Sequence, residues 1–464
     1  MNINLPSEYD FIKRFFRLTL ANVASNIMVP LAGLISVAFL GHLEEIDHLA
    51  GVALAGILFE YIYVIFYFLR MGTTGVTAQA AGCNHHEEML LVGLRNGLLA
   101  LGLGVAILIL QYPIRELWFA IVSATPEVKA SGIDYFNARI WGAPAVLFNY
   151  VLIGWLLGRE MSGKVLLMSL VGNTANVAFD YLYIIQWEWA SMGAGIAQAL
   201  SQYLMLLVGL VLASRDIEFK ELQTAFQKLW DWLAFKSTFT LNGNIFVRSL
   251  ANMTTMAAFG SLSALMGTMI FAENALLLQV ILLSIFLVDG IAFTTETLTG
   301  NFKGQTANDQ FIPLLQLSLG TSLSLGLSIA GACILFPETV FGLLSNHTEV
   351  TLPIKLYAPW LILVLGCQAI SSILDGYFGG LAEGEPIRNA TLCGALLGFA
   401  PLAVWAWQSH SNQILWLALS GFMATKMVAI AIQVPRTLQN DPETIALQVP
   451  KTLQDDPEAI PSLD

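Results

Sequence analysis

Long apolar runs alternate with short polar breaks along almost the whole chain. A bilayer hydrocarbon core about 30 Å thick takes about 20 apolar residues of helix. Twelve runs meet that length, near 18–40, 48–71, 90–111, 132–157, 165–186, 191–213, 239–261, 266–289, 312–335, 354–378, 390–407 and 413–433. The pattern predicts an all-α polytopic membrane protein with twelve transmembrane helices. Residues 214–238 break it. There Phe219, Leu222, Phe226, Leu229 and Leu233 recur at helical spacing with Lys220, Lys228 and Lys236 between them. That spacing predicts an amphipathic helix on the cytoplasmic leaflet. Lying at the middle of the chain, it reads as a linker between an N-terminal lobe, 1–213, and a C-terminal lobe, 239–433, of six spans each. Beyond them, QVPRTLQNDPETIAL recurs as QVPKTLQDDPEAIPS. It is acidic and without a periodic apolar face, so 434–464 is expected to be a disordered tail.

Composition agrees with the spans. Of 464 residues, 56% are hydrophobic and 12% charged, where a soluble domain carries about 25% charged residues. The mean hydropathy is +0.68. The net charge of -12 is partly the acidic tail and points to no nucleic-acid partner. Basic residues set the orientation. Lys13, Arg14 and Arg17 precede the first span, and Arg159, Lys164, Arg215, Lys220, Lys303, Arg388 and Arg436 fall in every second connection or after the last span. Both termini are therefore expected on the cytoplasmic side. The polar, charged start MNINLPSEYDFIKRFF is not a cleavable signal. Four scattered cysteines form neither a metal spacing nor a disulfide framework.

The chain also repeats itself. FLRMGTTGVTAQAAG, 68–82, sets against FLVDGIAFTTETLTG, 286–300, with Gly72 on Gly290 and Gly82 on Gly300, an offset of 218. GWLLG, 154–158, sets against GYFGG, 376–380, at 222. An even number of spans per half makes the halves parallel, with a symmetry axis along the membrane normal.

Ionisable groups inside a bilayer cost at least about 2.5 kcal/mol each on insertion scales. The spans nevertheless hold Glu60, Asp180, Glu273, Asp289, Glu296, Asp375 and Arg248. In VGNTANVAFD, Asn173, Asn176 and Asp180 share one helix face. Two amide oxygens and a carboxylate suit a small hard cation, Na⁺, and a desolvated carboxylate also takes H⁺. Asp289 and Glu296 share a face, and Arg248 is placed to pair with one of them. Glu60, Asp289, Glu296, Glu273, Asp375 and Arg248 are thus candidates for additional coupling or gating. No hydrolase, metalloprotease or nucleotide-binding motif occurs, which argues against an enzyme.

Taken in order, PLAGLISVAFLGHL, LRMGTTGVTAQAAG, IWGAPAVLFNYVLIGWLLG, GNTANVAFD and LVDGIAFTTETLTG resemble the multidrug and toxic compound extrusion (MATE) family, in its DinF-like branch. The resemblance covers about residues 15 to 433. It implies two six-helix lobes that open alternately, and export of organic, often cationic, compounds against inward H⁺ or Na⁺. It places the coupling-cation site on Asn176 and Asp180, with Ser36 and Gln198 lining it and Asn173 nearby. Ser36 stands where the family carries a first-helix Asp, and Glu60 on the next helix is a candidate replacement. The reading is therefore a secondary active exporter in a bacterial plasma membrane, monomeric, using no cofactor beyond the coupling ion. A lipid or lipid-linked oligosaccharide flippase is the rival. The excess of acids over bases in the spans, as read from the sequence, favours cations over phosphates.

Overall fold

The computed structural model describes residues 11–43, 45–217, 219–342 and 353–438. Eleven of the described helices are long and apolar enough to cross a membrane. In chain order, and counting one further helix, α7, they are α1 (Ile12–Gly41), α2 (Ile46–Gly82), α3 (His86–Ile109), α4 (Pro126–Gly158), α5 (Ser162–Gln186), α6 (Ala190–Ser214), α7 (Trp232–Leu265), α8 (Thr268–Gly304), α9 (Asn308–Leu335), α10 (Trp360–Gly380), α11 (Gly384–Ser409) and α12 (Asn412–Leu438). With 34 residues, α7 has the length of a span but is more polar than the other eleven. Several of its polar groups find partners inside the protein. Asn242 donates to Asn96 Oδ1 at 3.3 Å, Asn244 accepts from Arg388 at 2.7 Å, and Arg248 reaches Asp375. Leu20, Leu34 and Ile109 are exposed, as lipid-facing side chains must be. The chain is a multi-pass membrane protein.

α2 and α8 overrun their expected ends by more than ten residues, and both are 37 residues long. The overrun segments, Phe68–Gly82 and the end of α8, are rich in Gly, Ala and Thr. Small residues make a poor lipid-facing surface but let helix backbones approach closely. They do so here, in a symmetric way. A β-carbon on Gly154 would sit 2.4 Å from the Arg70 carbonyl oxygen, and one on Gly376 2.5 Å from that of Ala292. One on Gly158 would sit 2.7 Å from the Thr74 oxygen, and one on Gly380 2.4 Å from that of Glu296. Every equivalent position is 222 residues on. The repeat therefore keeps one register throughout, and the expected offset of 218 for the first segment is corrected to 222. Gly82 faces Gly304, not Gly300: a β-carbon on either would stand 2.9 Å from the other's Cα.

Contacts between the lobes gather toward the end that holds Gly82 and Gly304. α1 lies along α8, with Asn22 and Thr19 bonded to Thr294 Oγ1 at 3.1 Å and Asn26 Nδ2 donating to the Phe286 carbonyl. Gln79 Nε2 donates to the Gly380 carbonyl at 2.8 Å. The linker differs from expectation. Its helix covers only Phe219–Gln227, and residues from Trp232 onward already belong to α7. It crosses the start of α3, where Arg95 donates to the Leu229 carbonyl and Lys228 pairs with Glu87 at 2.7 Å. Residues 434–438 are helical, and Thr437 bonds the Tyr377 hydroxyl at 2.8 Å. The rest of the expected tail, 439–464, lies outside the described residues.

Candidate functional site

Asp180 is fully buried at the last regular α-turn of α5, immediately before a π-helical segment, Tyr181–Gln186. Such segments widen the helix and are frequent at functional sites. Ser36 on α1 donates its hydroxyl to Asp180 Oδ2. Asn176, one turn earlier and also buried, accepts from Gln198 Nε2 of α6 at 3.2 Å. Three helices thus supply the four side chains. Asp180 Oδ1 and Asn176 Nδ2 are buried without a partner. A buried polar atom left unpaired costs free energy, so the site is poised for a small hydrogen-bonding or charged occupant. Asn173 is not part of it: its amide bonds the Ser169 carbonyl at 2.8 Å, along its own helix.

One residue absent from the sequence reading adds a fixed charge to the surroundings. Arg139, at the end of the first half of α4, donates to the Tyr135 hydroxyl at 2.7 Å and packs over Phe59, 4.5 Å from the ring centre. Its charge acts on both Asp180 and Glu60. Glu60 itself is exposed and makes no hydrogen bond to Ser36, Asn176 or Asp180. The signal for Arg139 was a lone arginine in FNARIWGAP, inside a predicted span, flanked by aromatics.

The remaining candidates form a different arrangement. Arg248 pairs with Asp375 at 2.6 Å, not with Asp289 or Glu296 as expected. Lys426 of α12 joins the same carboxylate oxygen at 2.8 Å. Glu296 is instead held by Arg70, at 3.1 Å. Asp289 is half-buried and makes no ion pair with any described residue. Glu273 is buried near the other end of α8, about 24 Å along the helix from Asp289 at 1.5 Å per residue. Arg70, Arg139 and Lys426 therefore correct the picture of an interior poor in bases. Among the described residues no three His, Cys, Asp or Glu gather to hold a metal ion.

Two parallel, symmetry-related six-helix lobes with buried ionisable groups define a polytopic membrane protein built by duplication. The comparisons agree. The MatE family profile matches residues 22–182 and again 244–405, starts that lie 222 apart, so the chain belongs to the MATE family. It is 30% identical over 420 residues to DNA damage-inducible protein F of Escherichia coli K12, covering 90% of this chain and 91% of that one. It is 21% identical to a probable multidrug resistance protein NorM of Thermotoga maritima, over 86% of this chain and 87% of that one. Among solved structures it resembles the outward-facing conformation of a multidrug resistance MATE transporter, with a TM-score of 0.81 at 20% identity over 94% and 97% of the two chains. A Pyrococcus furiosus transporter described as having a binding pocket of reversed polarity gives a TM-score of 0.82 at 19% identity, over 92% and 95%.

Proposed function

We propose that the protein exports organic cations by proton antiport, with Asp180 as the proton-carrying group. The observation that carries this is a buried carboxylate with an unpartnered second oxygen and no ion pair among the described residues, held by a hydroxyl donor where a second acid would otherwise stand. Sodium asks for several hard oxygens and net negative charge. Here Ser36 points its proton at Asp180, the Asn176 oxygen already accepts from Gln198, and the fixed charge of Arg139 lies close by. A proton needs only the carboxylate. When Asp180 is protonated, the Ser36 bond to α1 weakens. Pro30, six residues earlier in α1, cannot donate a backbone bond, so α1 can bend there and repack against α8. Proton and cargo then oppose each other reciprocally.

The close approach of the lobes at the Gly82–Gly304 end supports a state open to the opposite side. The basic clusters Arg14, Arg159 and Lys164 lie at the helix ends of the closed side, consistent with cytoplasmic termini and a bacterial inner membrane. The buried cations do not favour the flippase reading. Arg70, Arg248 and Lys426 each already face a carboxylate, which leaves those three less available to a lipid phosphate. Efflux of ethidium from proteoliposomes, under a pH gradient or a Na⁺ gradient alone, tests the proposal. Efflux driven by the pH gradient and lost in Asp180→Asn supports it. Efflux driven only by Na⁺, or unchanged in Asp180→Asn, refutes it.

A further inference from the structure

The Arg70–Glu296 pair takes no part in the mechanism above, yet it bridges the lobes. Arg70 is on α2 and Glu296 on α8, with side chains 4% and 1% exposed. The guanidinium lies over the Phe293 ring at 3.9 Å and the Tyr67 ring at 4.8 Å, and Tyr67 meets Tyr150 edge-on at 5.6 Å. The pair is incompletely satisfied: Arg70 Nε and Nη1 and Glu296 Oε1 have no partner. Burying two charges costs about as much as their attraction returns, and unpaired atoms tip the balance further. Stability alone therefore does not account for the pair. The surroundings describe a carboxylate with an aromatic cage, which holds a cation by charge and by ring faces. In this state the cation is the protein's own.

We propose that Glu296 and the rings of Phe293, Tyr67 and Tyr150 bind the cationic group of the cargo when the lobes part at this end, and that Arg70 is a tethered competitor that takes the same carboxylate when they close. This rests on the exporter reading. One carboxylate balances one cation, so closure of the lobes and occupancy by cargo exclude each other at Glu296. Cargo loaded from the closed side is displaced as Arg70 arrives, and leaves toward the other. The coupling is reciprocal: cargo on Glu296 holds this end open.

The chain carries its own reporter of this end. The Cys83 thiol donates to the Gly304 carbonyl across the lobe boundary at 3.0 Å, and burial pushes its pKa up. The Cys83 side chain is exposed, so its bond to Gly304 is what the closed lobes hold, whereas Cys333 and Cys367 are buried and Cys393 is half-buried. Parting the lobes breaks that bond and frees the Cys83 thiol, which makes it more reactive. The experiment is maleimide labelling of Cys83 in the full-length protein, with the other three cysteines changed to serine, alongside ethidium efflux. Arg70→Gln is expected to speed labelling several-fold. Arg70→Lys and the swap Arg70→Glu with Glu296→Arg are expected to keep it slow, which separates opening from misfolding. Ethidium is expected to speed labelling of the wild type but not of Glu296→Gln. The swap restores the pair but leaves a cation where cargo must bind, so it is expected not to export. Slow labelling in Arg70→Gln, or full export by the swap, overturns the proposal. Absence of efflux from the wild type under any gradient overturns the exporter reading instead, and leaves the labelling of Arg70→Gln to decide the latch.

Discussion

Asp180 in the N-terminal lobe and Asp375 in the C-terminal lobe are both buried carboxylates in membrane helices, but only one is compensated. Asp375 Oδ2 accepts from Arg248 at 2.6 Å and from Lys426 at 2.8 Å. Asp180 has a serine hydroxyl and no ion pair among the described residues. A carboxylate with two resident cations is already neutralised and acts as a strut. A carboxylate with none is a place where a mobile cation can come and go. Partnership, more than burial, separates the coupling site from the structural one.

Substitution of the two acids sharpens this contrast most. Asp180→Asn removes the titrating group but keeps its shape. Gradient-driven efflux is expected to fall by more than tenfold, while thermal stability in detergent stays within about 1 kcal/mol, because no ion pair is broken. Asp375→Asn is the reverse. It strands Arg248 and Lys426 without a counter-charge, and breaking a buried pair in this way costs about 3–5 kcal/mol. Its expected signature is a large drop in melting temperature or in the yield of folded protein. Changing Asp375, Arg248 and Lys426 together to Leu, Met and Met should recover much of that loss. If Asp180→Asn unfolds the protein and Asp375→Asn leaves it stable, the assignment of strut and site is inverted.

The crossing of α2 and α8 gives a smaller, conformational effect. A β-carbon on Gly304 would stand 2.1 Å from the Gln79 carbonyl oxygen. Gly304→Ala must therefore push the helices apart at the closed end. Labelling of Cys83 should quicken a few-fold without loss of folded protein. The pseudo-symmetric change Gly82→Ala, 2.2 Å from the Asn301 oxygen, should do the same. An effect from one and not the other would break the symmetry argument.

Spans were legible in the sequence because lipid imposes a strong and simple pattern. Eleven of the twelve expected spans coincide with long apolar helices, and the twelfth is α7. The failures have physical causes. Hydropathy closed α2 and α8 early because Gly, Thr and Ala replace large apolar residues where helix meets helix instead of lipid. Arg248 was matched to acids on the neighbouring span, while its partner, Asp375, is 127 residues away on α10. Which of several acids a base meets depends on helix rotation, and one sequence does not reveal that. Arg70 and Arg139 went unread because each sits among aromatics that cover it. The stripe of Asn176 and Asp180 was legible because helical periodicity alone puts both on one face. Gln198 joined it through the resemblance, and the structure bonds it to Asn176.

Asn173 marks where that periodicity stops being informative, and it gives the smallest expected effect. It shares the stripe with Asn176 and Asp180, one turn further from the π-helical segment. Its amide nitrogen donates to the Ser169 carbonyl of the preceding turn, a bond that a polar side chain makes when nothing better is in reach. Asn176 is different: it is buried, and its oxygen is engaged by α6. Asn173→Ala should therefore leave pH-driven efflux within about twofold of wild type and change stability by no more than about 1 kcal/mol. Asn176→Ala, which strands the Gln198 amide beside Asp180, should lower efflux severalfold. Equal losses from the two substitutions would mean that the site extends a full turn further along α5 than the hydrogen bonds around Asp180 indicate.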